Sequence, residues 1–600
     1  MKTVSAAALR RIAALLFAVL LLLPLAVPFG AGTPAVAESE EASVPALQSS
    51  SPDSGLITES DAYQHFLGEL LKYKAVAKAQ TNKDTGITRY YICADVDVKG
   101  FNLSEQDVQQ IFKTLFYSEA ELSFLSGQYF YTIQNHVVQT VSSIYVELPA
   151  PATDAEVKNV RETAQAQLAE FHELANVILA KVDPKASTWE KVAFIHDYVA
   201  LHYDYDHRVY NDEEKDQAVY DAYRMLKEGI GVCQAYSLLT RYLLKKLDIE
   251  CECVSCDGLN HEWNIVKIGN AWYHMDVTWD DRDDKGFYGQ VSHDYFLASD
   301  SFFDQGYGAD RNHHDPTNAG WVSPVRATSG RYDGFFADVT TPFIFAGEAI
   351  YAINDGKLVA YDPMTENFTV LRDLGLSWRE SGFFGGTWNG IYAGLWYLNG
   401  KLYWNGNKKV YSYDPVTQAE PTVICTYTGR SKLIFGMRAI ADERTVTFTL
   451  ALMSDPNSGD VTEEVYSAGG YVITWVIGGT SYETVCLKGE TPHFDGATEL
   501  PSNLFDYTFL SWDKTVRQAS ADATYTAQFR MDRNDVDLTG KTVREQYRLI
   551  RAAILLFPYA NAGYGEAAAR SAELDAIKAD YAARVAEVNA TFSGVLFGNE

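Results

Sequence analysis

Residues 228–244 read EGIGVCQAYSLLTRYLL, and residues 256–281 read CDGLNHEWNIVKIGNAWYHMDVTWDD. Gly229-Ile230-Gly231 interrupts the chain, and a helix is expected from Cys233 to about Leu247. Leu239, Tyr242, Leu243 and Leu247 share one apolar face of it. A thiol at a helix N-terminus sits at the positive end of the dipole, which favours the nucleophilic thiolate. In the second stretch His261–Ile268 reads as a strand, Gly269-Asn270 as a two-residue hairpin turn, and Ala271–Thr278 as the return strand. That turn sets Ile268 opposite Ala271, Val266 opposite Tyr273 and Trp263 opposite Asp276. His261 and Asp276 then fall on one sheet face as diagonal neighbours, about 7–8 Å apart at the backbone. A slip of one residue would put them on opposite faces. A carboxylate so placed can hold an imidazole in one tautomer while the ring pairs with a thiolate.

The segments FIHDYVALHYDYD (194–206), GVCQAYS (231–237), HEWNIVKI (261–268) and WYHMDVTWDD (272–281) resemble the transglutaminase-like superfamily, a branch of the papain-like thiol enzymes. The resemblance spans about 190–300 and implies a catalytic Cys233, His261 and Asp276. Lys227 stands six residues before the cysteine, where papain has an oxyanion glutamine. The Cys233 backbone N–H is an expected oxyanion donor. Gln234, Tyr203 and Tyr205 are candidates for the second donor, and Trp263 and Trp279 for pocket wall or core. Two blander alternatives are a merely structural Cys233 and His274 in place of His261 as the base, since His274 shares the predicted face.

Other clusters carry less. Cys251, Cys253 and Cys256 have no common zinc spacing, so ordinary strand residues and no metal are expected. Asp280, Asp281, Asp283 and Asp284 lack an EF-hand pattern and read as a solvated acidic loop rather than a calcium site. Trp378, Trp388, Trp396 and Trp404 are dense enough to stack on sugars, with core packing as the default. No cofactor is expected.

The chain has 600 residues, 79 acidic against 50 Lys and Arg, and a net charge of −29. Such a surface repels phosphate backbones, so nucleic acid is not an expected partner. Seven cysteines without framework spacing exclude a disulfide scaffold. Lys2, Arg10, Arg11, the apolar run Ala13–Leu23 and the Ala35-Val36-Ala37 site read as a secretory signal peptide, residues 1–37, with an uncleaved anchor as the rival. No stable membrane span is expected after cleavage, and the compartment is extracellular.

The expected fold is α+β. A linker (38–58) and an N-terminal α+β region (59–150) precede a transglutaminase-like core (151–310). Capping boxes at Thr153-x-x-Glu156 and Ser187-x-x-Glu190 open two core helices. A propeller-like β module follows (335–465), in which Tyr361-Asp362-Pro363 recurs as Tyr413-Asp414-Pro415, 52 residues on. A small β unit (466–531) resembles internalin-type surface repeats in GETPHFDG, FLSWDKTV and DATYTAQF. A helical hairpin (535–600) ends the chain. The separate composition of these segments suggests separate cores, with a 59–330 piece folding alone. The resemblance implies a secreted acyl-transfer enzyme on peptide or protein amides, by hydrolysis or amide transfer. The alternatives are a peptidase or amidohydrolase on wall peptides, and a non-catalytic surface binder touching glycan or cell wall through 335–531.

Overall fold

The computed structural model describes residues 56–533, apart from 83–85, 212–216, 257, 283–285, 306–320, 348, 382–386, 443, 495, 497 and 499–504. The expected signal peptide, most of the linker and the helical hairpin at 535–600 lie outside the described residues.

The first unit holds α1 (Asp61–Leu70), β1 (Ala75–Thr81), β2 (Thr88–Asp97), α2 (Glu105–Phe116), β3 (Tyr129–Gln134) and β4 (Val137–Leu148). Its sheet is antiparallel, in the order β1-β2-β4-β3. Phe66, Leu70, Ile92, Val96, Ile111 and Val141 bury the face under the helices.

Both sequence-predicted capping boxes form, with Thr153 opening α3 (Asp154–Leu179) and Ser187 opening α4 (Thr188–His202). Then come β5 (Asp204–Tyr205), α5 (Ala222–Glu228), β6 (Ile230–Gly231), α6 (Cys233–Lys246), β7 (Cys251–Cys256), β8 (His261–Ile268) and β9 (Ala271–Met275). The turn α7 (Val277–Asp280), β10 (Phe296–Ala298), α8 (Asp300–Gln305) and β11 (Trp321–Val322) complete the unit. The five-stranded sheet runs β10-β9-β8-β7-β11. Helix α6 is buried continuously from Cys233 to Leu244. Two glycines allow it to start there. Gly229 caps α5 at φ +83°, a left-handed conformation that costs other residues about 1–2 kcal/mol. A Cβ on Gly231 would sit 2.8 Å from that of Ala235.

The β8–β9 hairpin has the register its turn dictates, with Ile268 opposite Ala271 and Val266 opposite Tyr273. The return strand is shorter than expected and stops at Met275, because Asp276 turns its side chain onto Trp279 N (3.2 Å) and caps α7.

Next comes a four-stranded meander, β12 (Ile344–Ala346), β13 (Ala349–Asn354), β14 (Lys357–Asp362) and β15 (Asn367–Asp373). A hairpin of β16 (Trp378–Ser381) and β17 (Thr387–Gly390) leads to a second meander, β18 (Leu395–Leu398), β19 (Lys401–Asn405), β20 (Lys409–Tyr413) and β21 (Thr422–Thr426). The Tyr-Asp-Pro copies are structurally equivalent, each ending the third strand of its meander. Asp362 Oδ1 accepts from Met364 N, and Asp414 Oδ1 from Val416 N, each at 2.9 Å. The last sheet contains β22 (Leu433–Asp442), β23 (Thr445–Met453), β24 (Thr462–Ile477), β25 (Thr480–Leu487), β26 (Phe505–Trp512) and β27 (Ala523–Arg533).

Two expected boundaries do not coincide with breaks. The 465/466 boundary falls inside β24, whose first half pairs with β23 and second half with β25. The core does not close near 310 either. Trp189 of α4 packs on Phe336, Phe343 and Tyr361, at ring-centroid distances of 5.7, 5.1 and 4.8 Å. One hydrophobic cluster therefore runs from α3 into the first meander. Trp378 and Trp404 are buried, and Trp378 and Trp396 donate to the carbonyls of Ile434 and Met437.

Candidate active site

Cys233 is the first residue of α6. The residue before it, Val232, gives no side-chain cap. The first-turn N–H groups therefore have no capping side chain and are available to an anion or oxyanion. The thiol is largely buried, 4.0 Å from the Asn260 carbonyl oxygen at the start of β8.

His261 follows Asn260. Its Nε2 lies 2.6 Å from Asp276 Oδ2, and the Asp276 carboxylate is fully buried. The ring is also hydrogen-bonded to Cys233. With Nε2 engaged by Asp276, that bond falls to Nδ1. Burial pulls the imidazole pKa down. The Asp276 charge, its hydrogen bond and the Cys233 sulfur outweigh burial and hold the ring up to about 10. Imidazolium is thus the form the site favours at neutral pH.

The surrounding cleft measures about 1230 Å³. One wall is Tyr205, Gln234, His261 and Trp279; the other is Lys113, Phe116, Tyr117 and Tyr145 of the first unit. Gln234 Nε2 reaches across to the Phe116 carbonyl at 3.5 Å. Trp263, expected as pocket wall or core, and Tyr203, a candidate second donor, do not line the cleft. Trp263 is buried behind the imidazole, with ring centroids 5.7 Å apart and planes 24° apart. Tyr203 is buried, and its carbonyl accepts from Tyr236 Oη at 3.0 Å. Alternation along β8 places Trp263 on the His261 face but deeper in the sheet. Lys227 points away, to Glu170 and Tyr223 at 2.9 and 2.8 Å.

His274 lies on the same sheet face but has no access to the thiol. It is fully buried between Asp300 (2.9 Å) and the Trp263 indole N–H (3.0 Å). Cys251 and Cys256 are buried strand residues, and no cysteine group among the described residues has metal-ligand geometry. The acidic-loop expectation fails for Asp280 and Asp281, which are buried. Asp280 accepts from Tyr295 N, and Asp281 from Tyr236 Oη at 2.7 Å. Asp283 and Asp284 lie outside the described residues.

Two features were not anticipated from the sequence. Glu262, on the opposite face of β8 from His261, is 3% exposed, and its Oε1 has no hydrogen-bond partner in the structure. Burial, and then the nearby Cys233, push its carboxyl well above the usual range and favour the neutral acid. Arg241, two turns along α6, is 1% exposed and bridges the units. It donates to Ser118 O (2.6 Å), Glu119 (3.2 Å) and Glu252 (3.2 Å). Strand alternation alone could have flagged Glu262 as facing the helix. The Arg241 contacts with Ser118 and Glu119 span more than a hundred residues and leave no local pattern.

A cysteine at a helix start is thus set against a His–Asp pair carried by a hairpin. Residues 172–277, which include all three side chains, match the family model of the transglutaminase-like superfamily. The chain therefore carries a transglutaminase-like domain, of a superfamily associated with cysteine-based acyl-transfer or peptidase activity. No curated protein matches the chain. Among solved structures, one described as a crystal structure of a TGase is 16% identical, with TM-score 0.17, covering 30% of this chain and 49% of that one. Another is PorZ, a bacterial surface component of the type-IX secretion system of Porphyromonas gingivalis. It is 12% identical, with TM-score 0.14, covering 47% of this chain and 32% of that one. The chain thus spans about half of the first and a third of the second.

Proposed function

We propose that the protein is a secreted cysteine acyl-transfer enzyme acting on peptide or protein amides, with Cys233 as nucleophile, His261 as acid–base and Asp276 as its orienting carboxylate. The observation that carries this reading is the single imidazole bonded to a buried carboxylate on one side and to a helix-start thiol on the other. The thiolate attacks the amide carbonyl, and the first-turn N–H groups of α6 stabilise the oxyanion. His261 gives its proton to the departing amine, leaving a thioester. Water then yields the acid, or a primary amine yields a new amide, and Cys233 is restored. The cleft leaves room for a peptide segment, and Tyr205 and Gln234 are the pocket residues.

The secretory features of residues 1–37 support an extracellular site of action. The internalin-like motifs between 489 and 529 support a cell-surface contact by the β modules, with Trp378 and Trp404 excluded from sugar stacking by burial. The test is incubation with glutamine-containing peptides, with and without a primary amine, read by mass. Deamidation identifies water as acceptor, and an amine adduct identifies transfer. The reading fails if no peptide amide is processed and an amide-mimic thiol probe leaves Cys233 unlabelled.

A further inference from the structure

Behind the His261–Asp276 pair lies a second cluster of ionisable groups, sealed from solvent. His196 and Asp197 come from α4, Asp280 from α7 and His293 from the segment before β10, with exposures of 0, 3, 0 and 1%. We propose that His196, Asp197 and His293 bind a divalent transition-metal ion of the zinc class, separate from the cysteine site.

Three observations carry this. The first is spacing. Asp197 Oδ1 lies 2.8 Å from His196 Nδ1 and 3.0 Å from His293 Nε2, and one donor atom from each residue falls within 4.8 Å of the others. Neighbouring ligands of an ion held at about 2.0–2.1 Å stand roughly 2.9–3.4 Å apart.

The second is hydrogen-bond direction. His293 Nδ1 lies 3.0 Å from the Val339 carbonyl, which can only accept, so Nδ1 carries a hydrogen. A neutral His293 then turns the lone pair of Nε2 toward a carboxylate oxygen. His196 repeats the arrangement, with Nε2 3.1 Å from Asp280 Oδ2 and Nδ1 on the same Asp197 oxygen. Protons on the rings or one cation can stand between these nitrogens and Asp197. Two extra protons would do it by making two buried imidazolium rings, at a heavy desolvation cost. One divalent ion does it with both rings neutral, and with Asp197 and Asp280 balances the charge.

The third is the set of outer partners. A ligating histidine commonly donates its far N–H to a carboxylate or a backbone carbonyl, and Asp280 and Val339 supply one of each. Phe343 N fixes the other Asp197 oxygen at 2.6 Å. Two imidazoles and one carboxylate suit zinc or its neighbours, and are too few oxygens for calcium or magnesium. The ion would join α4, the turn capped by Asp276 and the entry to the first meander.

The test uses the full chain carrying Cys233→Ala, which removes the site thiol as a competitor, stripped with chelator and titrated with Co²⁺ and Zn²⁺. One ion per chain, a weak visible d–d spectrum without thiolate charge-transfer bands, and a raised Tm are expected. His293→Gln and His196→Gln should each weaken binding at least tenfold. A chain that takes up no stoichiometric Co²⁺ or Zn²⁺ at micromolar concentration, with a chelator-insensitive Tm, overturns the proposal and leaves a proton-bridged network. Thiolate bands, or binding unchanged in both histidine variants, also overturn it. The spectrum of the parent chain decides the matter even if a variant does not fold.

Discussion

His261 carries two separable consequences. In the unfolded chain an imidazole titrates near 6.5, and in the fold it is held up to about 10. The folded state therefore binds the proton more tightly between these values. The resulting stability is fully present below about 6.5 and is lost as pH rises through about 10. The Tm should fall between pH 7 and pH 10, and the fall should shrink in Asp276→Asn, where the raising charge is gone. Equal pH slopes in both proteins would exclude Asp276 as the cause. On catalysis, Cys233→Ala should abolish turnover with the fold intact. Asp276→Asn should cut kcat/KM by a factor on the order of 10²–10⁴, by losing the carboxylate that orients and charges the ring. Glu262 is a contrasting case. Because burial favours its neutral carboxyl, Glu262→Gln should leave activity and Tm nearly unchanged; a large loss in steady-state assays would mean that the acid is ionised.

At the scale of elements, α6 does two jobs at two places along its length. Its start presents the thiol, and its middle holds Arg241 against Glu119 and Glu252. Arg241→Ala strands two largely buried carboxylates and should cost about 3–5 kcal/mol by urea denaturation. Gly231→Ala should also destabilise, by about 1–3 kcal/mol, because the added Cβ meets Ala235 and must displace the helix start. That shift should lower kcat more than it lowers Tm, which paired kinetic and melting measurements would reveal. Much of this level was legible beforehand. Gly269-Asn270 fixed the hairpin register, and the two capping boxes fixed the helix starts, because each is a local rule acting over a few residues. The Asp276 cap was missed because a capping aspartate and a strand-terminal aspartate look alike in a period-two pattern. The depth of Trp263 was missed because alternation gives the face of a side chain and not its distance from the sheet edge.

At the scale of the whole molecule, locality fails. The Tyr-Asp-Pro repeat correctly pointed to two equivalent units, since each copy closes the third strand of a four-stranded meander. Composition shifts located changes of architecture but not the limits of the cores. The aromatic contacts of Trp189 continue to Tyr361, and Met437 N donates to the Tyr288 carbonyl at 2.8 Å, so the β sheets close over the thiol unit at two places. A chain ending at residue 330 should therefore lose cooperative melting, whereas one ending near 430 should retain the packing around Trp189. Comparing their calorimetric transitions checks this, and a sharp transition for the shorter chain would restore the view of independent cores.

Strand β24 also bears on how such a chain could be inherited or rearranged. Its sixteen residues give their first eight to one neighbour and their last eight to another. A genetic crossover at the compositional seam near 465 would transplant half a strand and leave β23 beside a stranger. Because β22 also packs on the second meander in one hydrophobic cluster, an exchange that respects the cores has to carry β24 whole together with the strands on both sides of it.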